Sequence, residues 1–408
     1  MSPTRQPVHT VFGGAQLFRS GVVERFRTVA LESFATYAPD AATLAAIAGI
    51  EPGALADAVY ARVRDKLTRE PIEDYRIDFE DGYGVRPDAE EDTHAISSAK
   101  EIAAAMAAGV LPWRTGIRVK SFQPAERDRS IRTLSLFLST LVDETGRLPQ
   151  NFVVNLPKVS SVEEVEGFAA ALATFENGLA LDDGTLQFEV MIETPQIVLG
   201  ADGRSPLSLL VEAGGERLTG AIFGAYDFTA SLGVTAAHQS LRHPSCDFAR
   251  NMMLVAFAGS NVQLSDGATA TLPVPLHSAT PRTGLTLVER DENAHSVHAA
   301  WTLHCGNIRH AMVNGFYQGW DLHPAQLVSR YAATFAFFID GLDAAGSRLK
   351  NFVAKQAQAT RVGSAFDDAA TARGLANFFR RALNCGAITN EEVTARLGAG
   401  INLDELKT

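Results

Sequence analysis

Two carboxylates in the middle of the chain are placed to hold a metal ion. Glu193 follows the apolar segment 186–192, and Asp227 follows the apolar segment 218–223 after a short turn. Apolar segments of this length, rich in β-branched and aromatic residues, are typical of buried parallel strands. The carboxyl ends of such strands carry the chemistry of α/β folds. These two carboxylates therefore predict a site for a hard divalent cation, Mg²⁺ or alternatively Mn²⁺.

Glu193 and Asp227 also have a simpler interpretation, as caps of the helices that follow them. Acidic side chains are favoured at helix amino ends, because the N–H groups there lack partners and carry a partial positive charge. The residues alone leave both interpretations open.

Further charged residues follow other apolar segments. Glu80 and Asp81 close YRIDFED, and Lys158 follows NFVVNLP. Arg118 and Lys120 alternate in GIRVKSF, so in a strand they would share a face. Acidic groups at strand ends can transfer protons, and basic groups can bind an anionic substrate. All five are therefore candidate site residues.

Several of these residues also have a structural interpretation. Arg118 fits a buried ion pair, and Lys158 fits a counter-charge for Glu80 or Asp81. Asp266 closes NVQLSD and is a further candidate for substrate binding, although it is equally typical of a turn.

The spacing of the strand ends predicts the fold. From Asp81 to Asp266 successive strand-end residues lie 34 to 40 positions apart, and the step to His323 is 57. That last step contains a Thr/Pro-rich segment, about 268–290, which we interpret as an insert. Roughly 30 residues per unit are typical of a (β/α)₈ barrel. We therefore predict an α/β fold, a TIM barrel over 1–343; a doubly wound sheet is the alternative, but no G-x-G-x-x-G turn supports it.

Residues 344–408 differ from the barrel region. They are rich in alanine and predict helices at about 346–360, 366–384 and 390–397. We expect a C-terminal helical extension that packs on the barrel or on a neighbouring subunit of a homo-oligomer.

Composition excludes several classes of partner. The chain has 408 residues, a net charge of −11 and a charged fraction of 20%, without a Lys/Arg-rich run. Nucleic acid and anionic membranes are therefore not expected as partners, whereas a small anionic substrate is compatible. No secretory signal or run of about 18 apolar residues is present. Three widely spaced cysteines are typical of reduced thiols, and we expect a cytoplasmic protein.

Taken together, the strand-end motifs resemble the citrate lyase beta-subunit and HpcH/HpaI aldolase superfamily of phosphoenolpyruvate/pyruvate barrels. The motifs occur in the family's order and cover about three quarters of the chain. They are DFEDG (78–82), IRV (117–119), LPKVSSVEEVEGF (156–168), IETP (192–195), FGAYDFTASLG (223–233), GF (315–316) and HPAQ (323–326).

The resemblance implies a Mg²⁺-dependent lyase or aldolase that cleaves or forms a carbon–carbon bond through the enolate of a 2-oxo acid or acyl-CoA. By the resemblance, Glu193 and Asp227 match the metal ligands and Arg118 matches an enolate-stabilising arginine. Glu80 and Asp81 match an acidic pair that orients water or transfers a proton.

Three positions depart from the family pattern. Lys120 stands where an asparagine is common, Tyr226 replaces an acidic residue before the metal aspartate, and Gln318-Gly319 replaces Gly-Lys. Several relatives hold coenzyme A phosphates with basic residues near these loops. The departures favour a free oxo-acid, although coenzyme A as part of the substrate stays open.

Other functions on the same barrel are alternatives. The metal site would also serve a thioesterase or an enzyme acting on phosphoenolpyruvate, and a non-catalytic relative would act as a binding subunit. The presence of Glu193, Asp227 and Arg118 together opposes the non-catalytic alternative.

Overall fold

Eight parallel strands form a closed barrel. The computed structural model describes residues 5–279, 284–359, 369–398 and 403. Each strand pairs with the next along the chain, and β8 closes the barrel against β1. The strands are β1 His9–Gly14, β2 Asp74–Asp78, β3 Arg114–Arg118, β4 Phe152–Leu156, β5 Gln187–Ile192, β6 Leu218–Phe223, β7 Gln263–Ala268 and β8 Gln318–Asp321. The predicted TIM barrel is confirmed.

Helices connect the strands and form the outer layer. They are α1 Val22–Tyr37, α2 Ala41–Ala48, α3 Ala54–Arg69, α4 Asp88–Ala108, α5 Arg127–Thr145, α6 Val162–Gly178, α7 Pro195–Val198, α8 Leu209–Gly214, α9 Ala225–Ser231, α10 Pro244–Ala256 and α11 Leu287–Val313. Local sequence sets their starts, as for α6, where the Ser161 side chain accepts the N–H of Glu164. At α11, Thr286 and Glu289 form a capping box.

The lower half of the barrel interior is charged. Arg76 lies between the carboxylates of Asp74 and Glu189, and Arg114 contacts Glu189 at 2.8 Å. All four side chains are buried. Buried charges require such pairing, so this network fills the amino end of the barrel with fixed partners.

An apolar layer lies above this network. Phe12, Met191 and Ile222 form a buried cluster with Trp320 packed against it. Outward-facing strand residues join the main core beneath the helices. The barrel is therefore filled in its lower half, and its chemistry is confined to the carboxyl ends of the strands.

The C-terminal extension is helical where it is described. It comprises α12 Gln326–Ala359, α13 Ala369–Asn384 and α14 Asn390–Leu397. Helix α12 runs without a break through the predicted boundary at 343/344, so the last barrel helix and the first helix of the extension are one. Residues 360–368, 399–402 and 404–408 of the predicted extension lie outside the described residues.

Strand β7 ends at Ala268, and the next helix begins three residues before 290, the predicted end of the insert. Helix α11 starts at Leu287, because its capping box fixes the first turn there. Of the insert, residues 280–283 lie outside the described residues. Across the described part of the chain, no helix is both long enough and apolar enough to cross a bilayer.

Candidate active site

Glu193 and Asp227 lie at the carboxyl ends of neighbouring strands. Glu193 follows β5 directly and is buried, and its Oε1 accepts the backbone N–H of Lys158 at 2.6 Å. Asp227 lies in the first turn of α9, just beyond β6. Burial raises the pKa of Glu193 to about 8, and the negative charges of Asp227 and Glu80 add to this against the opposing effect of Arg118. The two carboxylates therefore interact electrostatically, as a shared cation would require.

The contacts do not support the interpretation of these residues as helix caps. Thr194 is the N-cap of α7 and Gly224 that of α9, and neither helix has a side-chain cap. The side chain of Asp227 makes no hydrogen bond with any described residue. Asp227 keeps a favourable place near the positive end of α9, while its oxygens are left available for a ligand.

The absence of a side chain at Gly224 makes room for Glu193. A Cβ atom at Gly224 would overlap Oε2 of Glu193 and lie 2.5 Å from its Cβ. The Glu193 carboxylate is thus seated against the backbone that leads from β6 to Asp227. This close approach fixes one carboxylate relative to the other.

The donor set fits Mg²⁺. Within the described residues no group of three or more His, Cys, Asp or Glu side chains is placed to hold one ion. Mg²⁺ is commonly bound through one or two carboxylates, with water and substrate as the remaining ligands. Glu193 and Asp227 supply hard anionic oxygens of that kind, and a cation would relieve the repulsion between the buried Glu193 and the half-buried Asp227.

Arg118 is fixed in the barrel mouth by two carboxylates. Its Nε donates to Asp78 Oδ1 at 2.7 Å and its Nη2 to Asp78 Oδ2 at 2.5 Å, while Nη1 lies 3.1 Å from Glu80. The guanidinium also lies against Phe12 and Trp320, 4.9 and 5.2 Å from the ring centroids, and these two rings pack on each other. Burial alone would lower the pKa of Arg118, but the carboxylates outweigh it and raise the pKa above its ordinary value. Arg118 is therefore a permanent, oriented positive charge.

Lys158 joins the acidic pair to Glu193. Its ammonium contacts Glu80 and lies 3.0 Å from Asp81, while its backbone N–H donates to Glu193. Its backbone is left-handed, with φ of 53°, which is uncommon for a residue with a side chain. Burial would lower the pKa of the ammonium, but hydrogen bonds and charge from Glu80 and Asp81 raise it. Lys158 therefore stays charged at the centre of the site.

Glu80 and Asp81 differ in their environments. Glu80 is buried, and burial raises its pKa although Arg118 and Lys158 oppose the shift. Asp81 is largely exposed; its partial burial is outweighed by hydrogen bonding with Glu80 and Lys158, which lowers its pKa. The barrel mouth thus places a buried carboxyl group with a raised pKa beside an exposed one with a lowered pKa.

Lys120 and Asp266 are not brought to this cluster. Strand β3 ends at Arg118, so the alternation expected to place Lys120 on the same face does not extend to it. The Lys120 ammonium instead lies 3.1 Å from the Phe79 carbonyl and 3.5 Å from Glu91 of α4. Asp266 is buried against Arg250 of α10 at 2.8 Å. Both sets of contacts are structural, and substrate binding by either residue gains no support.

Some site residues were missed by sequence reasoning. Asp78 is the first residue of the DFEDG motif. In the pairing of β2 with β3 it lies directly opposite Arg118, and this register explains their ion pair. Phe12 and Trp320 come from β1 and β8, the two strands that meet only when the barrel closes. No local pattern distinguishes these aromatic residues from ordinary core.

The loop after β7 is pinned beside the site. The Tyr226 hydroxyl, next to Asp227, accepts the N–H of Ala270 at 2.9 Å. Gln326 donates to the Thr269 carbonyl at 2.8 Å, and Asn307 donates to the Thr269 hydroxyl at 2.9 Å. Tyr226 thus anchors the start of the insert.

Comparison with known proteins places the chain in a family. The family model described as a domain of unknown function (DUF6986) matches residues 1–408. The chain belongs to this family.

Proteins similar to this DUF6986 chain include a curated lyase, over part of its length, and two solved structures. The L-malyl-CoA/beta-methylmalyl-CoA lyase of Haloarcula marismortui is 33% identical over 108 residues, spanning 26% of this chain and 28% of that enzyme's length. A citrate lyase structure from Burkholderia xenovorans LB400 has a TM-score of 0.60 at 16% identity, covering 97% of each chain. The malate synthase of Haloferax volcanii, solved as a lead(II) complex, has a TM-score of 0.50 at 16% identity, covering 100% of this chain and 99% of that one.

These likenesses confirm the fold that the motifs predicted. The DUF6986 chain shares the barrel of the citrate lyase and malate synthase structures, and its resemblance to the citrate lyase beta-subunit superfamily is confirmed. At 16% identity the structural likeness concerns the fold.

Proposed function

We propose that this protein is a Mg²⁺-dependent lyase or synthase that breaks or forms a carbon–carbon bond beside a carbonyl, through an enolate. The observation that carries the proposal is the buried Glu193, seated against the backbone of Gly224 that leads to Asp227, at the same end of the barrel as Arg118. The relatives named as lyase and synthase support the same class of reaction.

Glu193 and Asp227 are the residues that would hold the ion. When bound there, Mg²⁺ would act as a Lewis acid toward an enolate oxygen. The Lys158 N–H and the Gly224 backbone fix the position of the Glu193 carboxylate before any ligand arrives. Such preorganisation avoids the cost of reorienting the carboxylate during the reaction.

Arg118 supplies a second, permanent positive charge. Asp78 occupies one edge of the guanidinium through two hydrogen bonds and so sets its orientation. An arginine held in this way does not lose its proton and cannot rotate away as negative charge develops on a substrate. Its role is to stabilise the enolate side of the reacting group.

Glu80 and Asp81 serve proton transfer and the orientation of water. The buried Glu80 has a raised pKa and is suited to donating or accepting a proton at the enolate carbon or through a water. Lys158 stays charged between the two carboxylates and stabilises whichever of them is ionised. Asp81, at the exposed side, orients water.

The substrate is a small anion, and we favour a free 2-oxo acid over a coenzyme A thioester. Lys120, the basic residue that departs from the family pattern, is engaged with Glu91 and the Phe79 carbonyl. The Lys120 ammonium is therefore not available to bind a phosphate group of coenzyme A. Acyl-CoA is the alternative, since the Haloarcula relative is named for CoA substrates.

Calorimetric titration of Mg²⁺ into metal-stripped protein tests the proposal. Wild type is expected to bind, Glu193→Gln and Asp227→Asn are expected to lose binding, and pyruvate or oxaloacetate is expected to tighten binding to wild type. Asp128→Asn, an exposed carboxylate in the first turn of α5, is the matched control and should bind as wild type does. If both site variants bind like wild type, the proposed metal site is wrong.

Exchange of substrate protons in deuterated buffer tests the reaction class. Exchange of the α-protons of pyruvate that depends on Mg²⁺ and on Arg118 is expected for an enolate-forming enzyme. Metal binding without exchange of any 2-oxo acid or acyl-CoA proton favours the non-catalytic alternative, and hydrolysis of acyl-CoA without exchange favours a thioesterase.

A further inference from the structure

A cavity lies at the end of the barrel opposite the candidate active site. It has a volume of about 350 Å³ and extends from the amino ends of β7 and β8 to helix α13 of the C-terminal extension. Volumes of this size are typical of small-molecule sites. The site already described lies at the carboxyl ends of the strands, so this cavity belongs to a different part of the molecule.

The lining of the cavity divides by chemistry. Apolar side chains form one wall, among them Leu254, Phe257 and Phe338. Amide side chains of Asn377 and Asn384 and the guanidinium of Arg381 form another. Such a lining matches a ligand with an apolar body and a polar head.

The cavity contains a positive charge, that of Arg381. Among the described residues that line it there is no Asp or Glu to balance this charge. It would concentrate a small anion.

Arg381 differs from the buried arginines elsewhere in the protein. Arg76, Arg118, Arg250 and Arg330 each have a carboxylate within hydrogen-bond distance. For Arg381, no carboxylate among residues 5–279, 284–359 and 369–398 lies within ion-pair distance. Burial lowers the pKa of its guanidinium, with Tyr317 only partly opposing this. The charge is thus partly desolvated without a counter-ion, a state that costs free energy.

The contacts of Arg381 hold it in place but leave donors unused. Its Nη1 donates to Gln6 Oε1 at 2.6 Å, and its guanidinium carbon lies 4.1 Å from the ring centroid of Tyr317. Nε and Nη2 make no hydrogen bond with described residues and are not sealed from solvent. A guanidinium fixed on one edge and open on the other is suited to a carboxylate or phosphate oxygen.

We propose that this cavity is a second binding site, for a small organic anion that places a carboxylate or phosphate group on Arg381 and an apolar body against Leu254, Phe257 and Phe338. The site joins β7 and β8 to α13, so its ligand would tie the C-terminal extension to the barrel. Binding would therefore stabilise the folded protein. This proposal does not depend on the proposed lyase activity.

Binding of benzoate and phenyl phosphate, with neutral benzamide as the comparison, tests the proposal. Calorimetry and thermal unfolding are carried out on the full chain in EDTA, which keeps the candidate metal site empty. Both anions are expected to bind and to raise the Tm, and benzamide is not. If neither anion binds at millimolar concentration, or if benzamide binds equally well, the proposed anion site is wrong.

Two variants locate the binding. Arg381→Gln removes the charge, and Asn384→Asp, three residues away on the same helix face, supplies an internal carboxylate in nearly the same shape. Each is expected to weaken anion binding about tenfold or more, the scale of a lost charge-assisted hydrogen bond. Asn384→Asp keeps Arg381 and its contacts, so it remains informative if Arg381→Gln folds poorly.

Two further variants are controls. Arg348→Gln removes an exposed charge from α12, outside the cavity, and is expected to leave the affinity unchanged. Lys158→Gln, which removes the partly exposed ammonium at the barrel mouth, is also expected to leave it unchanged. Loss of anion binding in Lys158→Gln but not in Arg381→Gln or Asn384→Asp would place the anion at the barrel mouth and overturn the proposal.

Discussion

The backbone N–H of Lys158 donates to Oε1 of Glu193 at 2.6 Å, while the Lys158 ammonium contacts Glu80 and Asp81. Lys158, in the loop that follows β4, thus connects the proposed metal ligand after β5 with the proposed proton-transfer pair after β2. The left-handed φ of 53° at Lys158 is what allows its N–H and its side chain to serve both groups. Local backbone strain of this kind is common where a structure holds functional groups in place.

The two roles of Lys158 can be separated by substitution. Lys158→Ala and Lys158→Gly both retain the N–H and lose the ammonium, so we expect both to lose activity to a similar extent. Because glycine adopts φ of 53° freely, Lys158→Gly should be more stable than Lys158→Ala by about 1 kcal/mol. Urea unfolding measures the difference. Equal stability of the two variants would show that residue 158 bears no backbone strain.

Gly224→Ala is expected to abolish Mg²⁺ binding while leaving the barrel folded. The new methyl group would occupy the space of the Glu193 carboxylate and displace it from its hydrogen bond with Lys158. Calorimetry measures the binding, and circular dichroism checks the fold. Gly178→Ala is the control, because a Cβ there meets nothing within 4 Å at the end of α6. Normal Mg²⁺ affinity in Gly224→Ala would show that metal binding does not depend on the position of the Glu193 carboxylate beside Gly224.

The sequence predicted the barrel because its signals are local and repeated. Each unit contributes an apolar strand, a polar residue at its end and a helix, and these repeat at nearly constant spacing. All four residues lie at the end of a strand or within four residues after it, so knowledge of the topology alone was enough to bring them to one end of the barrel: Arg118, Lys158, Glu193 and Asp227.

Two site predictions depended on details that spacing does not contain. Lys120 was expected beside Arg118, but the strand ends between them and the lysine turns to Glu91. Asp266 lies inside β7, where its pairing with Arg250 of α10 decides its direction. Such pairings form between elements distant in the chain, and no pattern around Asp266 reveals them.

Asp78 is expected to control both the stability and the activity of the site. Asp78→Asn removes the charge that holds Arg118, leaving a buried guanidinium without its main partner. Breaking a buried pair in this way costs roughly 3–5 kcal/mol, and activity should fall because Arg118 loses its orientation. Denaturant unfolding and steady-state kinetics measure the two effects.

The control for Asp78 is an exposed ion pair. Asp65→Asn breaks the contact with Arg69 on the surface of α3, where both side chains are more than half exposed. The expected loss of unfolding free energy for Asp65→Asn is less than about 1 kcal/mol. A similarly small loss for Asp78→Asn would show that Arg118 does not depend on that carboxylate.

The stability of the protein is expected to fall in mild acid partly because of His9. Burial lowers the pKa of His9 from 6.5 to about 4, against the opposing charge of Asp321. Between these values the unfolded chain takes up a proton that the folded protein does not, so folding stability is full above pH 6.5 and declines toward pH 4. The contribution of His9 to the loss of unfolding free energy reaches about 3 kcal/mol.

The His9→Gln variant tests this contribution. The quantity to compare is the change in the free energy of unfolding with pH, not the free energy at one pH. Asp74, whose pKa burial raises to about 6, acts in the opposite direction, stabilising the fold in acid and losing that effect as pH rises through 6. The difference between wild-type and variant curves removes the Asp74 contribution. Urea unfolding at pH 4.5 and 7.5 should show a smaller loss for His9→Gln than for wild type, whereas the exposed His295→Gln should match wild type. Equal slopes for wild type and His9→Gln would mean that another group controls the acid sensitivity.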